Sequence, residues 1–185
     1  GKNVVPSDTK VDIEIFYNKA NVFFFIMIAY TIVASFLVVL AFVQLFKENK
    51  FLKYITNFFL GLTFIIFVAH AAGLAIRWYI TGHAPWSNGY EAIIFVSWVG
   101  VLAGLVLHKN RNAFIPATGA MVAVIMMGFA HGGSMLDPQI TPLVPVLKSY
   151  WLIVHVAIIV SSYGFFGLSA VLGIFALIIM LFKQN

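Results

Sequence analysis

His70, His83, His131 and His155 are the residues whose type and placement can do chemistry. His70 and His155 fall inside long apolar runs, His131 follows the end of one and His83 lies in a loop between two, and their positions put all four near one level. His108 lies on the opposite side. A neutral imidazole can hold a metal without adding charge, and paired axial histidines are a common haem ligation. Two such ligands on different helices, facing across a flat apolar slot, would make a haem-binding bundle. Phe, Trp and Ile are abundant enough to line one, and Arg77, at the same level, can meet an acidic propionate. Glu91 near the start of another apolar run is a further candidate, as a helix-capping group or a proton relay. The chain contains no cysteine, which excludes disulfides, thiolate metal sites and thiol nucleophiles from this segment.

Plainer roles are open for each of these residues. His108 beside Lys109 reads as an interfacial residue. His70 can hydrogen-bond a neighbouring helix, and His83 and His131 can be solvated loop residues. Trp78-Tyr79, Trp86, Tyr90 and Tyr150-Trp151 fall where an aromatic belt is expected of any membrane protein. Ser87 or Asn88 can cap a helix beginning there, with Glu91 or Tyr90 satisfying exposed backbone donors.

The elements that position these residues are membrane spans. Of 185 residues, 62% are hydrophobic and only 9% charged, against roughly a quarter charged in soluble domains. With a mean hydropathy of +1.01, a soluble enzyme or DNA-binding module is excluded. The fold class expected is all-α, a polytopic helical bundle of five spans: 22–46, 54–76, 88–107, 113–130 and 150–182. Residues 1–21 form a polar lead-in on the outer face, and 22–185 the transmembrane domain. Pro116 is tolerable in the first turn of its helix. The last run, if wholly helical, is roughly 50 Å long against a hydrocarbon core of about 30 Å, so it must tilt or project. Gly100-x-x-x-Gly104 and Gly164, Gly167, Ser169 and Gly173 supply small faces, better suited to close helix packing than to ligand contact.

The net charge of +5 arises from 11 basic and 6 acidic residues, and the basic ones lie mostly between apolar runs. They therefore read as a topology signal and not as a nucleic-acid surface. Residues 47–53 and 108–112 hold Lys47, Lys50, Lys53, Lys109 and Arg111, and Lys183 follows the last span. The opposite loops, 77–87 and 131–149, hold only Arg77 and Lys148. Positive-inside bias then places the amino terminus outside and the carboxy terminus inside. The segment 132–149, interrupted by Pro138, Pro142 and Pro145, reads as an outer-face lid or a partly re-entrant stretch. The opening Gly1-Lys2-Asn3 has no Met and no signal-peptide pattern, and reads as internal or processed.

Two segments carry a family resemblance. Gly82-His83-Ala84-Pro85-Trp86-Ser87-Asn88-Gly89-Tyr90-Glu91, followed by Phe95 and Ser97-Trp98, resembles the G-H-x-P-x-S-N-x-Y-E…F-x-S-W segment of CcsA/ResC-type cytochrome c biogenesis proteins. Gly128-Phe129-Ala130, then Leu143 to Val156, is similar to that family's G-F-A…L-V-P-x-L-x-S-x-W-L-x-x-H-V stretch, and Tyr163 agrees with a tyrosine further along. The resemblance covers roughly residues 22–185.

That resemblance implies a membrane component of system II cytochrome c maturation, possibly the CcsA part of a fused CcsBA protein. Such a component exports or holds haem at the outer face. It presents the haem for covalent attachment to a C-x-x-C-H motif of apocytochrome c, as part of a holocytochrome c synthase (haem lyase). It implies a transiently bound b-type haem, with His155 as an outer-face axial ligand of the iron. His83, Trp86, Asn88, Tyr90, Glu91 and Trp151 are implied as supporting residues, with no catalytic residue assigned. The implied partners are a CcsB/ResB-type protein, separate or fused, apocytochrome c, haem and membrane lipid, with no nucleic acid. The implied location is the bacterial inner membrane or, as an alternative, the plastid thylakoid. The family pattern continues with a tryptophan-rich W-G-x-x-W-x-W-D segment and two further histidines that are not among these 185 residues. The chain is therefore expected to be an amino-terminal part, inactive alone. Two other classes were open. A b-type haem anchor of an electron-transfer complex should carry histidines at both membrane levels, and a small-solute transporter should carry polar groups near the midplane.

Overall fold

A computed structural model describes residues 8–47, 49–108, 113–132, 136, 138–139 and 149–183. Six α-helices order this part of the chain: α1 Asp8–Ala20, α2 Val22–Phe46, α3 Lys50–Thr81, α4 Gly89–Val106, α5 Phe114–Gly132 and α6 Tyr150–Lys183. There is no strand among the described residues, and five spans are long and apolar enough to cross a membrane, α1 and α2 together counting as one. The all-α, five-span expectation holds. Helices α2, α4, α5 and α6 begin and end within two residues of their apolar runs, whereas α3 runs four residues earlier and five later than the run 54–76.

Local chemistry explains the ends. Asn49 caps α3 by accepting from the Leu52 N–H at 2.8 Å, and Gly82 closes it with φ +72°, its N–H bonded to the Trp78 carbonyl at 2.9 Å. That left-handed position suits glycine. Asn21 takes φ 42° between α1 and α2, the left-handed conformation asparagine tolerates best among residues with a Cβ. The polar lead-in is thus helical from Asp8, a feature its composition did not announce. Pro116 sits in the first turn of α5, where a missing N–H costs nothing.

Helices α4 and α5 form the centre. The α4–α5 contact is the most extensive, α2 also packs on α5, and α6 on α4. Small residues permit this. A Cβ on Gly119 would lie 2.8 Å from the Gly100 carbonyl oxygen and 3.0 Å from Gly104 Cα, and one on Gly164 would lie 2.9 Å from Val99 Cγ1. Close backbone approach lets dispersion attraction replace the hydrophobic drive that lipid does not supply. The packing role expected of Gly100, Gly104 and Gly164 is met, and Gly167 touches Val122, but a Cβ on Gly173 would meet nothing within 4 Å. Among the spans α6 is the least buried. Most of the proline-interrupted segment 132–149 lies outside the described residues, as do Lys109 and Arg111 of the basic loop.

Candidate functional site

The loop between α3 and α4 is built by its own polar atoms. Thr81 Oγ1 donates to the His83 carbonyl at 3.0 Å, Ser87 Oγ donates to the Ala84 carbonyl at 2.7 Å, and the Trp86 N–H reaches that same carbonyl at 2.9 Å. Asn88 caps α4, its side-chain oxygen accepting from the Glu91 N–H at 2.8 Å. Glu91 completes the cap, Oε2 accepting from the Ser87 N–H at 3.1 Å. The capping expectation for Asn88 and Glu91 is therefore met, with Ser87 as the donor.

Glu91 is also half of a buried ion pair. Arg77 Nε donates to Glu91 Oε1 at 2.9 Å, with the two side chains 3% and 1% exposed. Arg77 extends further, donating from Nη1 to the Pro138 carbonyl at 3.1 Å, and its guanidinium stands 5.3 Å from the centre of the Tyr90 ring. Arg77 was expected to be available to a propionate. Instead Glu91 and Pro138 engage it inside the bundle, because a buried guanidinium needs a counter-charge and filled donors more than an outward position. His83 Nδ1 lies 3.2 Å from the Ala84 carbonyl and 3.8 Å from Glu91 Oε2, so the loop histidine joins the same network.

The aromatic residues divide. Trp78, Tyr79, Tyr150 and Trp151 are exposed at this end, as a belt requires, whereas Tyr90 is buried. Trp86 turns inward, its ring 4.7 Å from Phe95 and its indole N–H donating to the Ile153 carbonyl at 3.2 Å. That bond, 67 residues apart in sequence, ties the α3–α4 loop to the first turn of α6. A cavity of roughly 50 Å³ lies between Trp86, Ser87, Leu152, Ile153 and Val156 beside it.

His155 sits two residues past that tie, on the exposed side of α6, one turn beyond Trp151 and one turn before Ile158 and Ile159, all exposed. Among the described residues it makes no hydrogen bond or ion pair. The other histidines scatter. His70 is fully buried, His131 is exposed with Nδ1 2.9 Å from the Met127 carbonyl, and His108 is half-buried beyond the opposite end of α4. His70 approaches the neighbouring helix α4, as its plainer role expects. The Ile94 carbonyl lies nearby, yet neither ring nitrogen has a bond of ordinary geometry. No cluster of three or more metal-ligating side chains forms among the described residues. The structure thus brings His83, Trp86, Asn88, Tyr90 and Glu91 into one assembly, joins it to the helix bearing His155, and leaves His155 and Trp151 facing outward. Arg77, expected at the same level but not as the partner of Glu91, is the further member of this assembly, its tie hidden by a separation of 14 residues.

The chain is similar to known proteins over the same region. A family model described as cytochrome C assembly protein matches residues 86–185. Protein NrfI of Wolinella succinogenes is 38% identical over all 185 residues, which are 20% of its own length. The cytochrome c biogenesis protein CcsA of Pyropia yezoensis is 37% identical over 120 residues, 64% of this chain and 38% of that protein. The CcsA of Mesostigma viride is 37% identical over 142 residues, 76% of this chain and 46% of that protein. The chain therefore spans less than half the length of each of these relatives.

Proposed function

This chain belongs to the cytochrome c assembly protein family, and from that premise we propose that it forms the part of a cytochrome c maturation protein that holds haem at the outer membrane face. The observation that carries the reading is His155. An imidazole that makes no hydrogen bond or ion pair among the described residues, on an exposed apolar helix face beside Trp151, is a donor and an aromatic wall presented to something outside these six helices. An unpartnered imidazole at the edge of an apolar surface fits the chemistry of an axial ligand to haem iron. When bound, haem supplies the iron and the vinyl carbons to which the thiols of an apocytochrome C-x-x-C-H motif add.

The residues of the chain do the positioning. Glu91 and Asn88 fix the start of α4, Ser87 and Trp86 hang from that start, and the Trp86 indole sets the height of Ile153 and hence of His155. Arg77 holds Glu91 in place and reaches the Pro138 backbone, so the segment leading into α6 is tied to the same anchor. His83 and Tyr90 complete the anchor and would support the haem edge only through it. The sparse positive charge of the two loops at this end supports a periplasmic or lumenal position for it, in a bacterial inner membrane or a thylakoid. A CcsB/ResB-type partner and apocytochrome c are the remaining components, and the haem would be transiently held and b-type until the thiols add. Attachment would need the whole protein.

The test is the absorption spectrum of the complete protein with and without His155→Ala. Loss of the six-coordinate bis-histidine bands, together with loss of cytochrome c maturation in cells, is expected. Unchanged bands with maturation retained would overturn the assignment.

A further inference from the structure

The buried face of α3 carries a polar residue at every seventh position: Thr56, Thr63, His70 and Arg77 are each 0–2% exposed. A heptad spacing keeps them near one stripe, and 21 residues of helix put its ends about 32 Å apart, the thickness of a hydrocarbon core. The two halves of the stripe differ. Thr63 Oγ1 donates to the Phe59 carbonyl at 2.8 Å; Thr56 Oγ1 donates to the Leu52 carbonyl at 2.9 Å and accepts from Gln44 Nε2 at 2.7 Å. Nothing in that half is left over. In the other half, among the described residues, both His70 nitrogens, Arg77 Nη2 and the Tyr30 hydroxyl have no hydrogen bond of ordinary geometry, and the Tyr17 hydroxyl meets only the Arg77 guanidinium, outside that geometry.

These groups are neighbours. The His70 ring lies 5.9 Å from the Tyr30 ring and 5.6 Å from Phe23, and Phe23 lies 6.2 Å from Tyr17. The Tyr17 phenol faces the Arg77 guanidinium, which is bound to Glu91 and through it approaches His83. Gly73 lets Phe23 settle on α3, since a Cβ there would stand 3.2 Å from the Phe23 ring. Buried polar atoms are nearly always hydrogen-bonded, and leaving one unmade costs about 1–3 kcal/mol. Where protein partners are missing, ordered water with two to four polar neighbours is the usual solution. An intramembrane histidine is moreover expensive enough to be functional by default.

We propose that the interior between α1, α2, α3 and α4 binds a small cluster of water, held by Tyr17, Tyr30, His70 and Arg77. Through it His70 exchanges protons with the aqueous phase at the His83 end. The groups that face the path are Tyr17 from α1, Tyr30 from α2, Arg77 from α3, and Tyr90, Glu91 and the Ile94 carbonyl from α4. The path closes below His70, because the Thr63 hydroxyl is committed to its own helix. It is a proton site open to one side and not a conduit across the membrane, and it does not depend on the haem reading.

The complete wild-type protein in detergent or nanodiscs tests this without substitution. Brief radiolysis generates hydroxyl radicals from internal as well as bulk water, and mass spectrometry locates the oxidised side chains. Tyr30 and His70 should oxidise several-fold faster than Met127, which is equally buried in the same core and chemically more reactive. Oxidation of both as slow as that of Met127 would overturn the site. Deuterium exchange at the imidazole C2 carbon, which proceeds through the protonated ring, tests the proton step. His70 should exchange with a sigmoidal dependence on pD. Labelled side chains with no C2 exchange would overturn the proton path.

Discussion

Around Glu91 the carboxylate is satisfied from within: Arg77 and Ser87 account for both of its oxygens, and Asn88 for its helix-starting N–H. Along α6 the reverse holds, with Trp151, His155, Ile158 and Phe166 exposed and the imidazole without a hydrogen bond or ion pair among the described residues. Among the described residues an indole hydrogen bond, from Trp86 to Ile153, ties the two regions together. The difference separates residues that hold the bundle from residues that the bundle holds out. Substitutions in the first region should act on stability, and those in the second on what the protein binds.

The largest effect should come from splitting the buried pair. Glu91→Ala leaves Arg77 charged, 3% exposed and without its counter-ion, and breaking such a pair costs about 3–5 kcal/mol. The joint replacement Arg77→Met with Glu91→Leu should recover most of that loss, since desolvating both charges offsets much of their attraction. Unfolding midpoints of the complete protein in detergent give the comparison. If Glu91→Ala is no more costly than the double variant, the pair is not buried in the assembled protein, and the contrast between the two regions collapses.

The spans were legible because long apolar runs without charge leave few alternatives in lipid. The Asn88 cap was legible too, because capping is local, spanning three residues. The small-residue faces of α4 and α6 could be read from spacing, but Gly119, which the α4 glycines meet, could not, since only the α4–α5 approach shows which residue Gly104 meets. Helix α1 escaped because its 13 residues have neither a strong apolar stripe nor a sustained apolar run. Arg77 and Glu91 were each visible as costly groups near one level, yet their pairing depends on how the loop between them folds back. The same limit hid the inward turn of Trp86. Its motif neighbours marked a helix start, but the acceptor lies on α6.

A middle-sized effect should separate the packed centre from the open helix. Gly119→Ala puts a Cβ 2.8 Å from the Gly100 carbonyl oxygen and 3.0 Å from Gly104 Cα, and backbone cannot yield cheaply. Overpacking of this kind costs roughly 1–3 kcal/mol. Gly173→Ala meets nothing within 4 Å and gains up to about 1 kcal/mol of helix propensity, so it should be neutral or slightly stabilising. Equal losses for both would mean that α6 is packed there as tightly as α4 and α5 are. Trp86→Phe is smaller again, keeping the ring against Phe95 while removing the bond to Ile153, a change of about 0.5–1.5 kcal/mol. On the proposed function it should also alter the haem spectrum or its reduction potential, because the first turn of α6 then loses its tie. A stability loss with an unmoved spectrum would confine Trp86 to packing.

The smallest effect on stability should belong to the residue with the largest proposed role. His155→Ala removes an exposed imidazole that makes no hydrogen bond or ion pair among the described residues, so nothing inside these six helices is lost with it. The unfolding midpoint of the haem-free complete protein should not shift measurably, in contrast to Glu91→Ala. Exposed substitutions away from caps and charges rarely do more. Haem added to the wild-type protein should raise that midpoint by mass action, and the increment should shrink when His155 is replaced. If instead His155→Ala destabilises the haem-free protein, the face of α6 is covered by other membrane helices. The imidazole would then be packed where it now looks outward, and the division between holding and presenting residues would have to be redrawn one helix further out.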